Sequence, residues 1–190
     1  AIYRPFTKSN LYFHRQMNNM VYQMPQIFPD AKAENLVICL TVTGTKGFSV
    51  LISSLLPDLQ LIGDSQCFPL KLYEPNSSKS AIPQGGLFDL ESNQSIESNE
   101  NYTVKDGISD AGLAHFAAAY PTETISKEDL FYYIYGLLHS DDYKQKYADN
   151  LTKELPRIPC VKTAADFWAF SKAGRALAEL HVNYESVDLY

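Results

Sequence analysis

Leu36-Val37-Ile38-Cys39-Leu40-Thr41-Val42 is β-branched and almost wholly apolar, a pattern that predicts a buried strand. Immediately after it, Thr43-Gly44-Thr45-Lys46-Gly47 carries turn signals, and Phe48-Ser49-Val50-Leu51-Ile52 reads as a second strand or the start of a short helix, so a hairpin is expected. Beyond Pro57 lie two shorter apolar runs, Leu59 to Ile62 and Cys67 to Tyr73, separated by Gly63-Asp64-Ser65. On the N-terminal side, Tyr3, Phe6, Tyr12, Phe13 and Tyr22 alternate with Asn10, Gln16, Asn18, Asn19, Gln23 and Gln26. Pro25 and Pro29 interrupt any helix there, and the segment reads as extended and partly stranded.

Further along, 75–107 is dominated by Ser, Asn, Gln and Glu. So few apolar residues offset the entropy of ordering poorly, and the stretch is expected to be an exposed loop or insertion. From Ser109 the period turns helical. Ser109 or Asp110 caps a helix running to Tyr120, and Pro121 follows it. Ser126-Lys127-Glu128-Asp129 has the form of a capping box, after which Leu130, Phe131, Ile134, Leu137 and Leu138 recur at helical spacing up to His139. Ser140 restarts a helix through Tyr143, Tyr147 and Leu151, stopped by Leu155-Pro156-Arg157-Ile158-Pro159. Thr163 or Ala164 begins a last helix with Phe167, Phe170, Leu177 and Leu180 on its apolar face. Strands first and helices second is the α+β pattern. The expected organisation is a mostly β part with hairpins over 1–74, the polar insertion over 75–107, and a bundle of about four helices over 108–190.

At 190 residues, the chain is long enough for one compact domain with an insertion. Its 13 Tyr and 10 Phe favour a firm core or a contact surface. Cys39, Cys67 and Cys160 are odd in number, lie far apart in sequence and include no C-x-x-C pair, which predicts neither a disulfide framework nor a zinc knuckle and fits a reducing, cytoplasmic setting. No apolar run approaches the roughly 18 residues that cross a bilayer, and no signal peptide is visible, so no membrane association is expected. The chain starts at Ala1, without an initiator Met, in what reads as mid-domain sequence, so a piece of a larger protein is expected. The net charge of −6 argues against a generic nucleic-acid coat. It is uneven, however: residues 1–50 hold Arg4, Lys8, Arg15, Lys32 and Lys46 against Asp30 and Glu34, a net of +3. An anionic partner would prefer that quarter.

No common catalytic set is present, and no catalytic or metal-ligating residue is assigned. Gly44-Thr45-Lys46-Gly47 lacks the spacing of a phosphate loop and reads as a hairpin turn. His14, His115, His139 and His181 form no metal-binding pair. His139 and His181 follow apolar helical runs, where an imidazolium at a helix C-terminus is favoured, so capping is expected of them. Asp58 and Asp64 fall short of a nuclease pattern because Gln66 stands where its lysine would be, and they read as surface turns. There is no target-amine tetrapeptide of adenine N6-methyltransferases and no methyl-donor loop.

Three stretches together resemble the C-terminal target-recognition region of type ISP restriction-modification enzymes, large bacterial proteins that join nuclease, helicase-like ATPase and adenine methyltransferase parts in one chain. They are Tyr3-Arg4-Pro5-Phe6 with Leu11-Tyr12-Phe13; Asn35 to Tyr73, above all Ile62-Gly63-Asp64-Ser65-Gln66-Cys67-Phe68-Pro69-Leu70; and Asp129 to Ser140 through Leu155-Pro156-Arg157-Ile158-Pro159 to Leu180-His181. The most specific portion is the helix ending in Leu138-His139-Ser140 followed by that proline-flanked segment. The resemblance implies recognition of double-stranded DNA on behalf of methyltransferase and ATPase parts of the same parent chain. The parent would be the enzyme and would use S-adenosylmethionine, ATP and Mg2+; this piece would hold no cofactor.

If DNA is the ligand, phosphate contacts need Lys or Arg, and base edges are read by Arg, Lys, Asn and Gln. Arg15-Gln16-Met17-Asn18-Asn19 offers both kinds, making Arg15, Gln16, Asn18 and Asn19 the first candidates. Thr43, Thr45 and Lys46 at the hairpin tip are the second, and Lys79 in the polar insertion is the third. Tyr132, Tyr133 and Tyr135 lie around an amphipathic helix and are read as core rather than as base-stacking residues. Arg157 is read as a phosphate contact or an ion-paired strut. The rival reading is a docking module whose acidic, aromatic helices pack on the methyltransferase or ATPase part with little DNA contact.

Overall fold

The computed structural model describes residues 1–41, 44, 47–76 and 102–187. Strands β1 (Ile2–Arg4), β2 (Thr7–Lys8), β3 (Val37–Leu40), β4 (Val50–Ser53), β5 (Gln66–Pro69), β6 (Lys71–Pro75) and β7 (Tyr102–Asp106) precede all but one of the helices. The helices are α1 (Met24–Ile27), α2 (Asp110–Ala119), α3 (Lys127–His139), α4 (Asp141–Lys146), α5 (Ala148–Leu151) and α6 (Ala164–Val182). The fold is α+β, as the order of patterns implied. Every sheet is antiparallel: β1-β2, β4-β3-β5 and β6-β7.

Within the apolar run, Val37–Leu40 form β3, the centre of the three-stranded sheet, and β3 pairs with β4 in the register Ile38↔Ile52 and Leu40↔Val50. Its wholly apolar character has a direct cause. Ile38 and Leu40 face a large core shared with the helices, while Val37 and Cys39 face a second core with Ile2, Ile27, Phe28, Leu51 and Leu61. A strand buried on both faces has no polar alternation to show.

Asn35, just before β3, is a buried connector. Its Nδ2 donates to the carbonyls of Ile27 (3.0 Å) and Lys71 (2.8 Å), and its Oδ1 accepts from the backbone N–H of Leu36 (2.9 Å) and Lys71 (3.0 Å). With every polar group paired, a side chain that would otherwise destabilise the interior instead ties α1 and β6 to the sheet.

Several expectations shift. Pro25 lies in the first turn of α1, where its missing N–H costs nothing, so it starts a short helix rather than preventing one. Leu59 to Ile62 is a turn, closed by Leu61 N–H to Asp58 O and Ser65 N–H to Leu59 O. In the expected polar loop, Tyr102–Asp106 is a strand paired with β6; the rest of 77–101 lies outside the described residues. The helix restarting at Ser140 is broken at Tyr147 into α4 and α5. The expected caps are made: Ser109 accepts from Gly112 N–H, Ser126 and Asp129 form a reciprocal capping box, and Ser140 and Thr163 cap α4 and α6.

The buried face of α6 also differs from the expected one. Phe167, Ser171, Gly174 and Ala178 are buried, whereas Leu180 is 52% exposed. The stripe is small because α6 crosses α3 backbone to backbone at Gly136 and Gly174. A Cβ on Gly136 would lie 2.3 Å from Phe170 O, and one on Gly174 would lie 2.0 Å from Tyr132 O. Close approach extends the dispersion contacts of both helices, and a side chain at either glycine would meet the facing backbone.

Around α3, tyrosines act as polar connectors. Tyr143, Tyr133 and Tyr120 donate their hydroxyls to the carbonyls of Arg157 (2.8 Å), Pro159 (2.6 Å) and Val161 (2.7 Å). Alternate carbonyls of an extended strap therefore point inward, and Pro156 and Pro159 favour that extended backbone while bringing no N–H that needs a partner. Tyr135 reaches the sheet: its hydroxyl accepts from Ile52 N–H of edge strand β4 (3.2 Å) and shares a hydrogen bond with His181 Nδ1 (2.6 Å). Burial holds the His139 imidazole down to about 4 and lowers His181 as well. Burial thus disfavours the charged form of these two half-buried imidazoles, against the charged helix caps expected from their positions.

Two outcomes follow from this packing. Gly174→Ala gains up to about 1 kcal/mol of helix propensity, but the clash is with backbone, so a net destabilisation of about 1–3 kcal/mol is expected. A thermal melt should fall by about 2–4 °C for each kcal/mol lost. His139, with a folded-state value near 4 against an ordinary 6.5, binds fewer protons in the folded protein than in the unfolded chain between those limits. Stability therefore rises with pH across that window and is lost as pH falls through it. Denaturant titrations at several pH values should show a shallower slope there for His139→Phe than for the unsubstituted protein.

Candidate nucleic-acid interface

The segment 9–23 has no regular secondary structure, because its alternating amides and aromatics support neither a strand ladder nor a helical face. It is held by local bonds instead. Met17 and Asn18 N–H donate to His14 O (2.9 and 3.0 Å), and Asn18 Oδ1 accepts from His14 N–H (2.7 Å), closing a turn that presents residues 15–17. Met20 and Tyr22 have φ values of 52° and 48°, the left-handed region in which non-glycine residues store strain.

The turn is unusually rich in exposed apolar groups. Tyr12, Met17, Met20 and Tyr22 are each at least 65% exposed, and Tyr12 stacks on His14 with ring centroids 6.2 Å apart. Arg15 and Gln16 at the tip are exposed, as is Asn19, while Asn18 is half-buried by its structural bond. Arg15 makes no ion pair among the described residues, in contrast to Lys8, which pairs with Glu185 at 2.5 Å. The basic excess of the N-terminal quarter is therefore reduced at Lys8 and kept at Arg15.

Beside the turn lies an open cavity of about 840 Å³, walled on one side by 9–11 and 18–24 and on the other by 56–59 and 64–67. Asn18 and Asn19 line it; Arg15 and Gln16 do not. Its far wall carries Asp58, Asp64 and Gln66, residues that sequence spacing could not associate with the turn. Asp58 accepts from Gln60 N–H (2.8 Å) and Asp64 from the Gln60 amide (2.5 Å), so both carboxylates brace a surface turn. Carboxylates repel phosphate, but amides and carboxylates match the donors and acceptors of base edges. Phosphate contact suits the Arg15 tip, and polar readout suits the Asn18–Asn19 side.

The second candidate group, Thr43, Thr45 and Lys46, and the third, Lys79, lie outside the described residues. Between the former, Gly44 N–H donates to Thr152 O at 3.0 Å, and Gly44 and Gly47 have φ of 83° and 92°, the conformation a tight hairpin end demands of glycine. Tyr132, Tyr133 and Tyr135 are buried in the core. Arg157 is an exposed strut paired with Glu154 at 2.9 Å. No group of three His, Cys, Asp or Glu side chains among the described residues is placed to hold a metal ion, and no helix among them is long and apolar enough to cross a membrane.

The α+β fold sets a braced polar turn beside an open cavity, and the whole chain, residues 1–190, matches the family described as the type ISP C-terminal specificity domain. The protein belongs to that family. Three solved structures share its fold over its full length. A DrdV–DNA complex is 36% identical with a TM-score of 0.81. The ATP-dependent type ISP restriction-modification enzyme LlaBIII bound to DNA is 35% identical with a TM-score of 0.77. A nuclease-deletion mutant of the type ISP restriction-modification enzyme LlaGI, in complex with a DNA substrate mimic, is 33% identical with a TM-score of 0.71. The chain spans 16%, 11% and 14% of those chains respectively. No curated protein sequence matches it.

Proposed function

We propose that this domain recognises a DNA target sequence for a larger restriction-modification protein, directing adenine methylation and cleavage carried out by other parts of that protein. The observation that supports this reading most is full-length similarity, at 33–36% identity, to domains of three proteins whose structures are complexes with DNA or a DNA mimic. S-adenosylmethionine, ATP and Mg2+ belong in this reading to the other parts. So does every bond-making step.

Within the domain, the turn at 14–19 supplies the contacts. Arg15 meets a phosphate, whose negative charge also favours the net-positive first fifty residues of an otherwise acidic chain. Gln16, Asn18 and Asn19 offer amides to base edges, although the Oδ1 of Asn18 is already engaged by His14 N–H. Thr43, Thr45, Lys46 and Lys79 stand as further contacts in the same proposal. A second reading, docking onto the methyltransferase or ATPase part, is favoured by the exposed Tyr12, Met17, Met20 and Tyr22, because contiguous exposed apolar groups mark protein contacts.

Placing this domain in a related restriction-modification enzyme and mapping methylated adenines by sequencing tests the central reading. The methylated motif should change to a new one; retention of the host's motif would refute target recognition. In a protein containing the domain, Arg15→Ala should weaken DNA binding about equally for all sequences and reduce the salt slope by roughly 1. Asn19→Ala should instead relax the preference at one position, at a cost of about 1–3 kcal/mol for the preferred base. Competition binding at several salt concentrations separates the two effects.

A further inference from the structure

Two of the three cysteines, separated by 28 positions in sequence, meet across the sheet. Cys39 of β3 and Cys67 of β5 are direct register partners, and their sulfurs lie 3.8 Å apart as free thiols. Directly opposed residues of an antiparallel pair have Cα atoms about 4.5–5.5 Å apart, inside the span of about 4.4–6.8 Å that a disulfide bridges. Side-chain rotation can thus bring the sulfurs to bonding distance without moving either strand out of register.

The two thiols differ in access. Cys39 is fully buried, whereas Cys67 is partly exposed and lines the open cavity. A small reagent entering there meets Cys67 first. The hydrogen bond from Cys39 lowers the Cys67 thiol below its ordinary range, against the opposing effect of burial, and the same contact raises Cys39. Cys67 is therefore the nucleophile and Cys39 the resolving thiol. Cys160 packs against the other core and serves as an internal control.

We propose that Cys39 and Cys67 are a site of reversible oxidation that closes to a cross-strand disulfide when a hydroperoxide reaches the cavity. The Cys67 thiolate attacks one peroxide oxygen, the O–O bond breaks, and the departing oxygen takes a proton and leaves as water or alcohol. The Cys39 sulfur then attacks the resulting sulfenic sulfur. The S–S bond forms, the S–O bond breaks, and the hydroxide leaves as water with the Cys39 proton. The thiol pair loses two electrons, which the peroxide gains. This site rests on sheet register and cavity access, with the lowered Cys67 thiol in support, and stands whether or not the domain reads DNA.

The test treats the native protein with hydrogen peroxide and then removes the peroxide. The protein is unfolded in denaturant at neutral pH with excess N-ethylmaleimide, so that every remaining thiolate is alkylated, and the non-reduced digest is examined by mass spectrometry. A linked Cys39–Cys67 peptide that a thiol reductant removes, with Cys160 alkylated, is the expected result. Cys160→Ser should keep the link, and Cys67→Ser should leave Cys39 fully alkylatable after the same treatment. The proposal is overturned if Cys39 remains alkylatable in the treated unsubstituted protein, whether Cys67 is untouched or carried to sulfinic acid. It is equally overturned if the link involves Cys160.

Discussion

Where α3 crosses α6, Gly136 and Gly174 leave the two backbones in direct contact, with no space for even a methyl group between them. Each glycine costs about 1 kcal/mol of helix propensity relative to alanine, and the close packing it permits offsets that cost through contacts along both helices. Ser171 Oγ donates to Asp129 O across the same interface at 2.9 Å. At its rim, Arg175 lies 4.1 Å from the centre of the Tyr132 ring and pairs with Glu128 and Asp129. Because the crossing leaves no freedom in depth, it also sets where the other faces of α3 point.

Those faces carry Tyr133 and Tyr135, and together with Tyr120 at the end of α2 and Tyr143 of α4 their hydroxyls satisfy backbone groups that would otherwise be buried unpaired. The strap at 157–161 could not lie against the bundle without donors for its inward carbonyls, and Tyr120, Tyr133 and Tyr143 provide them. Edge strand β4 likewise has a free ladder N–H at Ile52 that Tyr135 covers, which removes a site for unwanted strand pairing. The use of Tyr rather than simpler apolar residues at these four positions thus has a structural origin: the interior contains irregular backbone as well as side chains, and phenols fill space while pairing polar groups. His181 completes the arrangement by sharing a hydrogen bond with the Tyr135 hydroxyl, and Phe6 and Lys8 of the N-terminal hairpin close over its end of α6.

A net charge of −6 sits uneasily with a polyanionic partner until the pairing of charges is considered. Several acids of the C-terminal half are engaged with nearby bases, as in Lys127 with Asp106 of β7 and Asp110 of α2, or Arg175 with Glu128. The Arg15 turn, by contrast, stands out from the body with its charge unpaired among the described residues. A domain of this kind in the proposed reading does not bind DNA by its average potential, which would hold any sequence alike. It depends on a small basic and amide-bearing tip, so the electrostatic share of affinity is modest and the polar share that distinguishes bases is proportionally larger.

Sequence alone determined what depends on neighbours in the chain. Capping residues Ser109, Ser126, Ser140 and Thr163 start their helices because a side-chain oxygen needs only an N–H two or three positions away. The apolar run that begins at Leu36 makes the central strand Val37–Leu40. What sequence could not decide required partners distant in the chain. Leu180 was expected to be buried and Gly174 was overlooked, because the stripe on α6 was chosen by how closely α3 can approach and not by hydrophobicity. His139 and His181 were read as charged caps, although their protonation is set by burial against one another and Tyr135. Asn18 and Asn19 share a cavity with Asp58, Asp64 and Cys67 only through the folding of the 56–67 turn onto the 9–23 segment. The pairing of Cys39 with Cys67 depends on strand register, a tertiary property that cysteine spacing does not encode.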